Sequence, residues 1–178
     1  EIQDKLVVPK NQLIELTKGS LTLGNLIVEP FAVSHDAADP IGINVFSGKD
    51  KATVVTDTGI ISDDILHRID DSTLLVLEAN YDPHMLRFGP YQPFLKQRVA
   101  SDEGHLSNEM AAQALLMMKR PDFMQVILAH RSENNNNAVL VTQTIGKMLV
   151  DGGVRIGPEM KLQHGQPNEI VSMQSIKR

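Results

Sequence analysis

The sequence contains no cysteine. Disulfides and thiolate metal sites are thereby excluded, and imidazoles and carboxylates are left as the available metal donors. A cysteine-free chain also suits the cytoplasm, which is the expected location. No apolar run approaches the roughly 20 residues needed to cross a bilayer, so no membrane association is expected. The start, Glu1-Ile-Gln-Asp-Lys5, has neither the basic nor the apolar stretch of a secretory signal. It also lacks an initiator Met, so the natural N-terminus is expected upstream. Positive charge is not in excess either: 17 Lys and Arg against 22 Asp and Glu give a formal net charge of −5. A broadly basic nucleic-acid surface is therefore excluded, and any such contact has to use a local patch or bound cations.

What is present is ordinary globular composition: 178 residues, 42% hydrophobic and 22% charged, enough for one domain with a substantial core. Residues 1–11 read as a connecting segment. From Leu13 to Ser34 the pattern is strand-like, with turns at Lys18-Gly19 and Gly24-Asn25; the latter is a two-residue hairpin signal. Ile43–Phe46 and Ala52–Val55 flank Ser47-Gly-Lys-Asp50 as a second hairpin. Ser62 caps a short helix through Ile69, with Asp63 and Asp64 placed well for its dipole. After an apolar strand at 74–78 come helical stretches at 82–88 and 91–100, broken by Gly89-Pro90. Ser107-Asn-Glu109 opens a helix running to Lys119, which Pro121 follows. A strand at 125–129, a polar loop with four consecutive asparagines and a helix over 138–149 complete the regular part. Residues 154–170 are loop-rich, with weak strand character near Glu169-Ile-Val171. Hairpins followed by strand–helix alternation predict a layered α/β domain.

The chemistry lies at the strand ends. Four apolar runs finish in a metal-competent or acid–base side chain: Phe31-Ala-Val33 before His35, Val54-Val55 before Asp57, Leu74–Leu77 before Glu78, and Val126–Ala129 before His130. Each alone reads more readily as a structural residue: a hydrogen-bonded histidine, or an aspartate closing a turn. Together, imidazoles and a carboxylate at convergent strand ends suit zinc, manganese or iron, and a carboxylate can bridge two ions. Glu78 ends a strand where an unpaired carboxylate would be costly. His105, in Gly104-His-Leu-Ser-Asn108, is the expected partner, and the pairing would orient its ring for acid–base duty. Ser107 and the first amides of the following helix could hold an anion. The plainer reading makes Ser107 an N-cap and Gly104-His105 a turn.

In this order, His35-Asp-Ala37, Thr56-Asp-Thr-Gly59, Leu77-Glu-Ala-Asn80, Gly104-His-Leu-Ser-Asn108 and Leu128-Ala-His-Arg-Ser132 resemble the metallo-β-lactamase-fold hydrolases. The resemblance is strongest to their nuclease branch, which includes the tRNA 3′-processing endonucleases. Phe31 to Asn135 is similar to the YycJ/WalJ family, associated with 5′→3′ double-stranded DNA exonuclease activity. The most specific segments are Val33-Ser-His-Asp-Ala-Ala-Asp-Pro40, Leu77-Glu-Ala-Asn-Tyr-Asp82, Met85-Leu-Arg-Phe-Gly-Pro-Tyr91 and Lys96 to Asn108. The resemblance implies that His35 is a ligand of one metal, Asp57 bridges two, and His130 is a ligand of the second. Glu78 and His105 match a pair that protonates the leaving oxygen or binds the scissile phosphate, with Ser107 beside it as a phosphate contact. The implied cofactors are two divalent ions, Zn or Mn. The implied partner is nucleic acid, DNA ahead of RNA. Arg87, Lys96, Arg98 and Arg131 are candidates for backbone contacts, and a homo-oligomer is compatible with the sequence.

One departure stands out. The family's His-x-His-x-Asp-His motif, which should precede His35, does not occur, and there is no histidine upstream of His35. Residues 1–178 are therefore expected to be the carboxyl-terminal half to two-thirds of one incomplete domain, a partial αββα sandwich lacking its N-terminal part. Catalytic zinc usually keeps about three protein ligands, so this chain alone is expected to bind metal weakly or not at all and to be inactive. Two alternatives remain open from sequence. One keeps the fold but hydrolyses RNA or a small thioester or lactone; the other is a non-catalytic regulatory or dimerising fragment.

Overall fold

The computed structural model describes residues 19–166, together with 9, 14, 16 and 169–172. The strand-like run expected at 13–16 and the turn at Lys18 lie largely outside the described residues, as does the segment 1–11 apart from Pro9. Within them, seven strands form one sheet whose order follows the chain: β1 (Leu21–Leu23), β2 (Leu26–Ala32), β3 (Ile41–Ser47), β4 (Asp50–Val55), β5 (Leu74–Glu78), β6 (Met124–Ala129) and β7 (Met160–His164). The first four are antiparallel neighbours joined by short connections, and the last three pairings are parallel. Both expected tight turns form, and each places a glycine in the left-handed region, Gly24 at φ 61° and Gly48 at φ 60°. That conformation costs a residue without a Cβ nothing.

Parallel neighbours require helical crossovers. α1 (Asp63–Ile69) joins β4 to β5; α2 (Pro83–Phe88), α3 (Pro93–Val99) and α4 (Asn108–Met117) lie between β5 and β6; α5 (Ala138–Asp151) leads to β7. Their starts were readable because each of four has a side-chain cap: Ser62, Asp82, Ser107 and Asn137 accept from the amides of Ile65, Met85, Met110 and Leu140. α1, α4 and α5 cover one sheet face. Ile65 and Ile69, Ala111 and Leu115, and Ile145 and Leu149 pack there against Val55, Leu77, Val126 and Leu128. The opposite face carries the alternate residues, and the register aligns Ile43, Val54, Val76 and Ile127 in one row across four strands. That row is only half-buried, with Val54 39% exposed. Among the described residues no helix is long and apolar enough to cross a membrane.

One expectation is corrected. The last strand is Met160–His164, whereas Glu169–Val171 is irregular. β7 is an edge strand whose Lys161 and Gln163 interrupt the apolar pattern, while its register against β6 is set by buried Met160 and by Leu162.

Candidate metal centre

The parallel register decides where the functional side chains meet. Val55 pairs with Leu77 and Glu78 with Ala129, so the carboxyl ends of β4, β5 and β6 finish level. Asp57, Glu78 and His130 leave the sheet from that edge. Two of them do so in a conformation that L-residues rarely adopt: Asp57 at φ 57° and His130 at φ 53°. Such positions cost on the order of 1–3 kcal/mol and persist where the surrounding structure fixes them. Here both are held. Thr58 donates its amide to Glu78 Oε2 at 3.0 Å, and Asn80 Nδ2 donates to the His130 carbonyl at 2.8 Å.

Glu78 is the buried hub. It is fully buried, and its Oε1 accepts from His105 Nδ1 at 2.8 Å and from His130 Nδ1 at 2.6 Å. Its Oε2 accepts the Thr58 amide and, more weakly, that of Leu106 at 3.4 Å. Burial pushes the Glu78 pKa up, but the bonds from His105, His130 and the Thr58 amide outweigh it and leave the carboxyl below its ordinary value. Conversely, the bond to Glu78 raises the pKa of His130 against the opposing effect of burial. The sequence pointed to His105 as the partner of Glu78; the structure adds His130 to the same oxygen.

A carboxylate only accepts, so both rings must carry their proton on Nδ1 and turn Nε2 away from Glu78. His130 Nε2 then lies 3.5 Å from Asp57 Oδ1. His35 behaves in parallel. Its Nδ1 donates to the Gly104 carbonyl at 3.0 Å, and its Nε2 lies 3.8 Å from the same Asp57 oxygen. The His105 ring sits between them, 5.0 Å from His35 and 5.1 Å from His130 by ring centroids. Metal-binding histidines characteristically give their other ring N–H to a carboxylate or backbone carbonyl. His35, Asp57, His105 and His130 fit that chemistry, and two overlapping trios, His35–Asp57–His105 and Glu78–His105–His130, place their donor atoms within 4.8 Å of one another.

His35, Asp57, His105 and His130 line an open cleft of about 510 Å³ together with Asn80, Tyr91, Arg98, Arg131 and Asn134. Arg98 is held by Asp36 through two bonds, Nε–Oδ2 at 2.5 Å and Nη2–Oδ1 at 2.8 Å. Arg87 and Lys96 face a separate groove. Ser107 lies behind the cleft, 4% exposed, with its hydroxyl accepting the Met110 amide at 3.2 Å. That hydrogen bond fills the N-cap role.

Glycines bring the pieces this close. A Cβ on Gly59 would come within 2.3 Å of the Ser101 carbonyl oxygen, and one on Gly104 within 2.2 Å of that of Arg98. Four asparagines finish the frame. Asn136 Nδ2 donates to the carbonyls of Ala79 (3.0 Å) and Asn80 (3.1 Å) and to Asn108 Oδ1 (2.8 Å), while its own Oδ1 accepts from Asn108 Nδ2 (3.1 Å) and the Asn137 amide (2.9 Å). In the sequence this run is only a polar loop after His130, with no periodicity that marks burial.

Against known proteins, residues 2–130 match the family described as the beta-lactamase superfamily domain. The chain belongs to that superfamily. Among curated proteins, this superfamily chain is 32% identical over 170 residues to the exodeoxyribonuclease YycJ of Bacillus anthracis, covering 95% of the chain and 64% of that protein. It is 32% identical over 155 residues to the exodeoxyribonuclease WalJ of Streptococcus pneumoniae, covering 87% and 58%. The chain thus spans less than two-thirds of the length of either relative. Among solved structures, its fold matches the metallo-beta-lactamase fold protein YhfI of Bacillus subtilis with a TM-score of 0.57 at 14% identity, covering 82% of this chain and 50% of that one. It also matches Zn(2+)-bound PqqB of Methylobacterium extorquens with a TM-score of 0.55 at 16% identity, covering 83% and 48%.

Proposed function

We propose that the protein to which this chain belongs is a metal-dependent phosphodiester hydrolase that degrades double-stranded DNA from its 5′ ends. The observation that carries the reading is the shared carboxylate: Glu78 fixes the tautomer of two imidazoles that turn toward Asp57. In this reading His35, Asp57 and His130 would hold two divalent ions, Zn or Mn. Such ions supply the Lewis acidity that activates water and neutralises charge developing on a phosphate.

The chain's own residues do the rest. Glu78 holds the Nδ1 proton of His105, so the imidazolium form of the ring can give its Nε2 proton to the departing oxygen and remain as the neutral Nδ1–H ring. Arg98, aligned by Asp36, and Arg131 contact the strand's phosphates from the cleft wall. Ser107 acts from behind by fixing the start of α4 next to His105. One terminal imidazole per ion plus a shared carboxylate falls short of about three protein ligands. We place the missing donors outside these 178 residues, with the polypeptide that would cover the half-buried sheet row. The isolated chain should accordingly bind metal weakly and be inactive.

Fold does not choose a substrate, so the test offers several. The protein at its natural length, loaded with Mn or Zn, is given end-labelled duplex DNA, RNA and a small thioester. Preferential shortening of the DNA from its 5′ ends is expected. His105→Ala should lower that rate by roughly 10²-fold or more, whereas undiminished cleavage by this variant would remove His105 from the chemistry. Preferential thioester hydrolysis would overturn the phosphodiester reading.

A further inference from the structure

The chain is acidic overall, yet Pro83 to Ser101 contains Arg87, Lys96 and Arg98 and no Asp or Glu. This stretch is α2 and α3, the two short helices beside the cleft. It also carries the two most exposed phenylalanines of the described residues, Phe88 at 67% and Phe94 at 70%. Leaving two large rings in water on adjacent short helices forgoes burial worth about 2 kcal/mol each. The Arg87 guanidinium lies over the Phe88 ring at 5.3 Å, and the His84 ring packs beside it at 4.6 Å.

The same helix serves the cleft. α3 gives Leu95 and Arg98 to the cleft that holds His35, Asp57 and His130, and Lys96 and Gln97 to a groove of about 360 Å³ on its other side. Tyr81 and Leu86, both buried, form the groove's apolar floor. Lys96 Nζ donates to the Arg87 carbonyl at 2.8 Å, which ties α3 to the end of α2, and both residues line the same groove. Among the described residues neither is paired with a carboxylate, whereas Arg98 is. The two-helix segment is also fixed in place: the Asp82 amide donates to the Asn135 carbonyl at 2.9 Å, and a Cβ on Gly89 would come within 2.8 Å of Asn135 Oδ1.

Unpaired cations interleaved with exposed aromatic rings form a surface that takes a flexible polyanion with flat hydrophobic faces, which is single-stranded nucleic acid. We propose that α2 and α3 form a docking platform for a single strand, with unpaired bases stacked on Phe88 and Phe94 and phosphates on Arg87 and Lys96, continuous with the cleft at Arg98. The inference rests on the phosphodiester-hydrolase reading and deepens it: the strand to be cut is held unpaired beyond the site, so a duplex end must open to reach it.

The test is binding rather than cleavage. The protein at its natural length is titrated, with chelator present, against a fluorescein-labelled 20-mer of deoxythymidylate, followed by anisotropy over a range of KCl concentrations. Both rings are on the surface, so the Phe88→Ala/Phe94→Ala protein should keep its far-ultraviolet circular dichroism and melting temperature. It should bind the oligonucleotide at least tenfold more weakly, because each stacked base is lost. Arg87→Gln/Lys96→Gln should lower the slope of log affinity against log salt by about 1.4, two phosphates at ~0.7 each. Unchanged affinity in the first variant together with an unchanged slope in the second overturns the platform and points to a protein-binding surface. Failure of the unsubstituted protein to hydrolyse bis(p-nitrophenyl) phosphate, a diester too small to reach these helices, would instead count against the underlying reading.

Discussion

Glu78 is a fully buried carboxylate that accepts hydrogen bonds from two imidazoles and two amides. It is stable there only because every lone pair that faces the interior meets a donor. Replacement by Gln keeps the volume but substitutes an NH2 for one acceptor, which must then point at a ring N–H or a backbone N–H. Glu78→Gln should therefore cost about 3 kcal/mol in denaturant unfolding, the order found when one partner of a buried charged pair is removed. In the same variant His130, whose pKa Glu78 raises, should titrate at a lower pH than in the parent when followed by NMR with chelator present. An unshifted His130 titration would mean that Glu78 does not hold that ring. Asp57 carries a different kind of cost, since its left-handed backbone is paid for by the fold and returned only through what its carboxylate does.

At the scale of elements, three pieces of chain bring the site together: the end of β5 with Glu78, the start of α4 behind His105, and the loop after β6 that begins at His130. Asn136 belongs to the last of these and is bonded to the other two. Asn136→Ala removes its three donated and two accepted bonds and strands the buried carbonyl of Ala79, while that of Asn80 keeps only the Ser132 amide. It should destabilise the protein by about 2–3 kcal/mol. Asn136→Asp should be worse, because a carboxylate oxygen would face those carbonyls; thermal unfolding of the two variants side by side checks the order. Elements of this kind divide sharply in how readable they are. The strands ending at Val55, Glu78 and Ala129 and the capped helix starts follow from local patterns, an apolar run or a Ser, Asp or Asn placed before one. The Asn108–Asn136 pair does not, because its partners are 28 residues apart and asparagine has no periodicity to betray burial. The same holds for the sharing of Glu78 between His105 and His130, which depends on strand register.

For the whole molecule, pH acts through groups whose affinity for protons differs between the folded and unfolded chain. His164 on β7 is one. Burial, with Arg131 adding to it, lowers its pKa from the ordinary 6.5, and its Nε2 is 2.8 Å from the Thr142 hydroxyl. Above pH 6.5 both states hold the neutral ring, and His164 leaves stability unchanged. As the pH falls below that value the unfolded chain takes up the proton first, so folding is disfavoured until the lower folded value is passed. His164→Gln should therefore lose less melting temperature than the parent between pH 7.5 and 5.5, in scans buffered to about those values; equal losses would show that the ring is not held neutral. The fold class was legible as a whole because hairpins preceded strand–helix alternation. β7 was not, since an edge strand with Lys161 and Gln163 has no clear alternation of its own.

Among the described residues the sheet runs in the order in which the chain is made, β1 through β7, with no strand inserted between two earlier ones. During synthesis each new strand therefore meets an open edge, and no gap has to wait for a later arrival. The site does not share that convenience. Asp57 and Glu78 emerge with β4 and β5, but His130 comes only after β6 and the asparagine clasp later still. Until then Glu78 lacks one of its two imidazoles, so the arrangement around Asp57 cannot set before the chain has been made past His130.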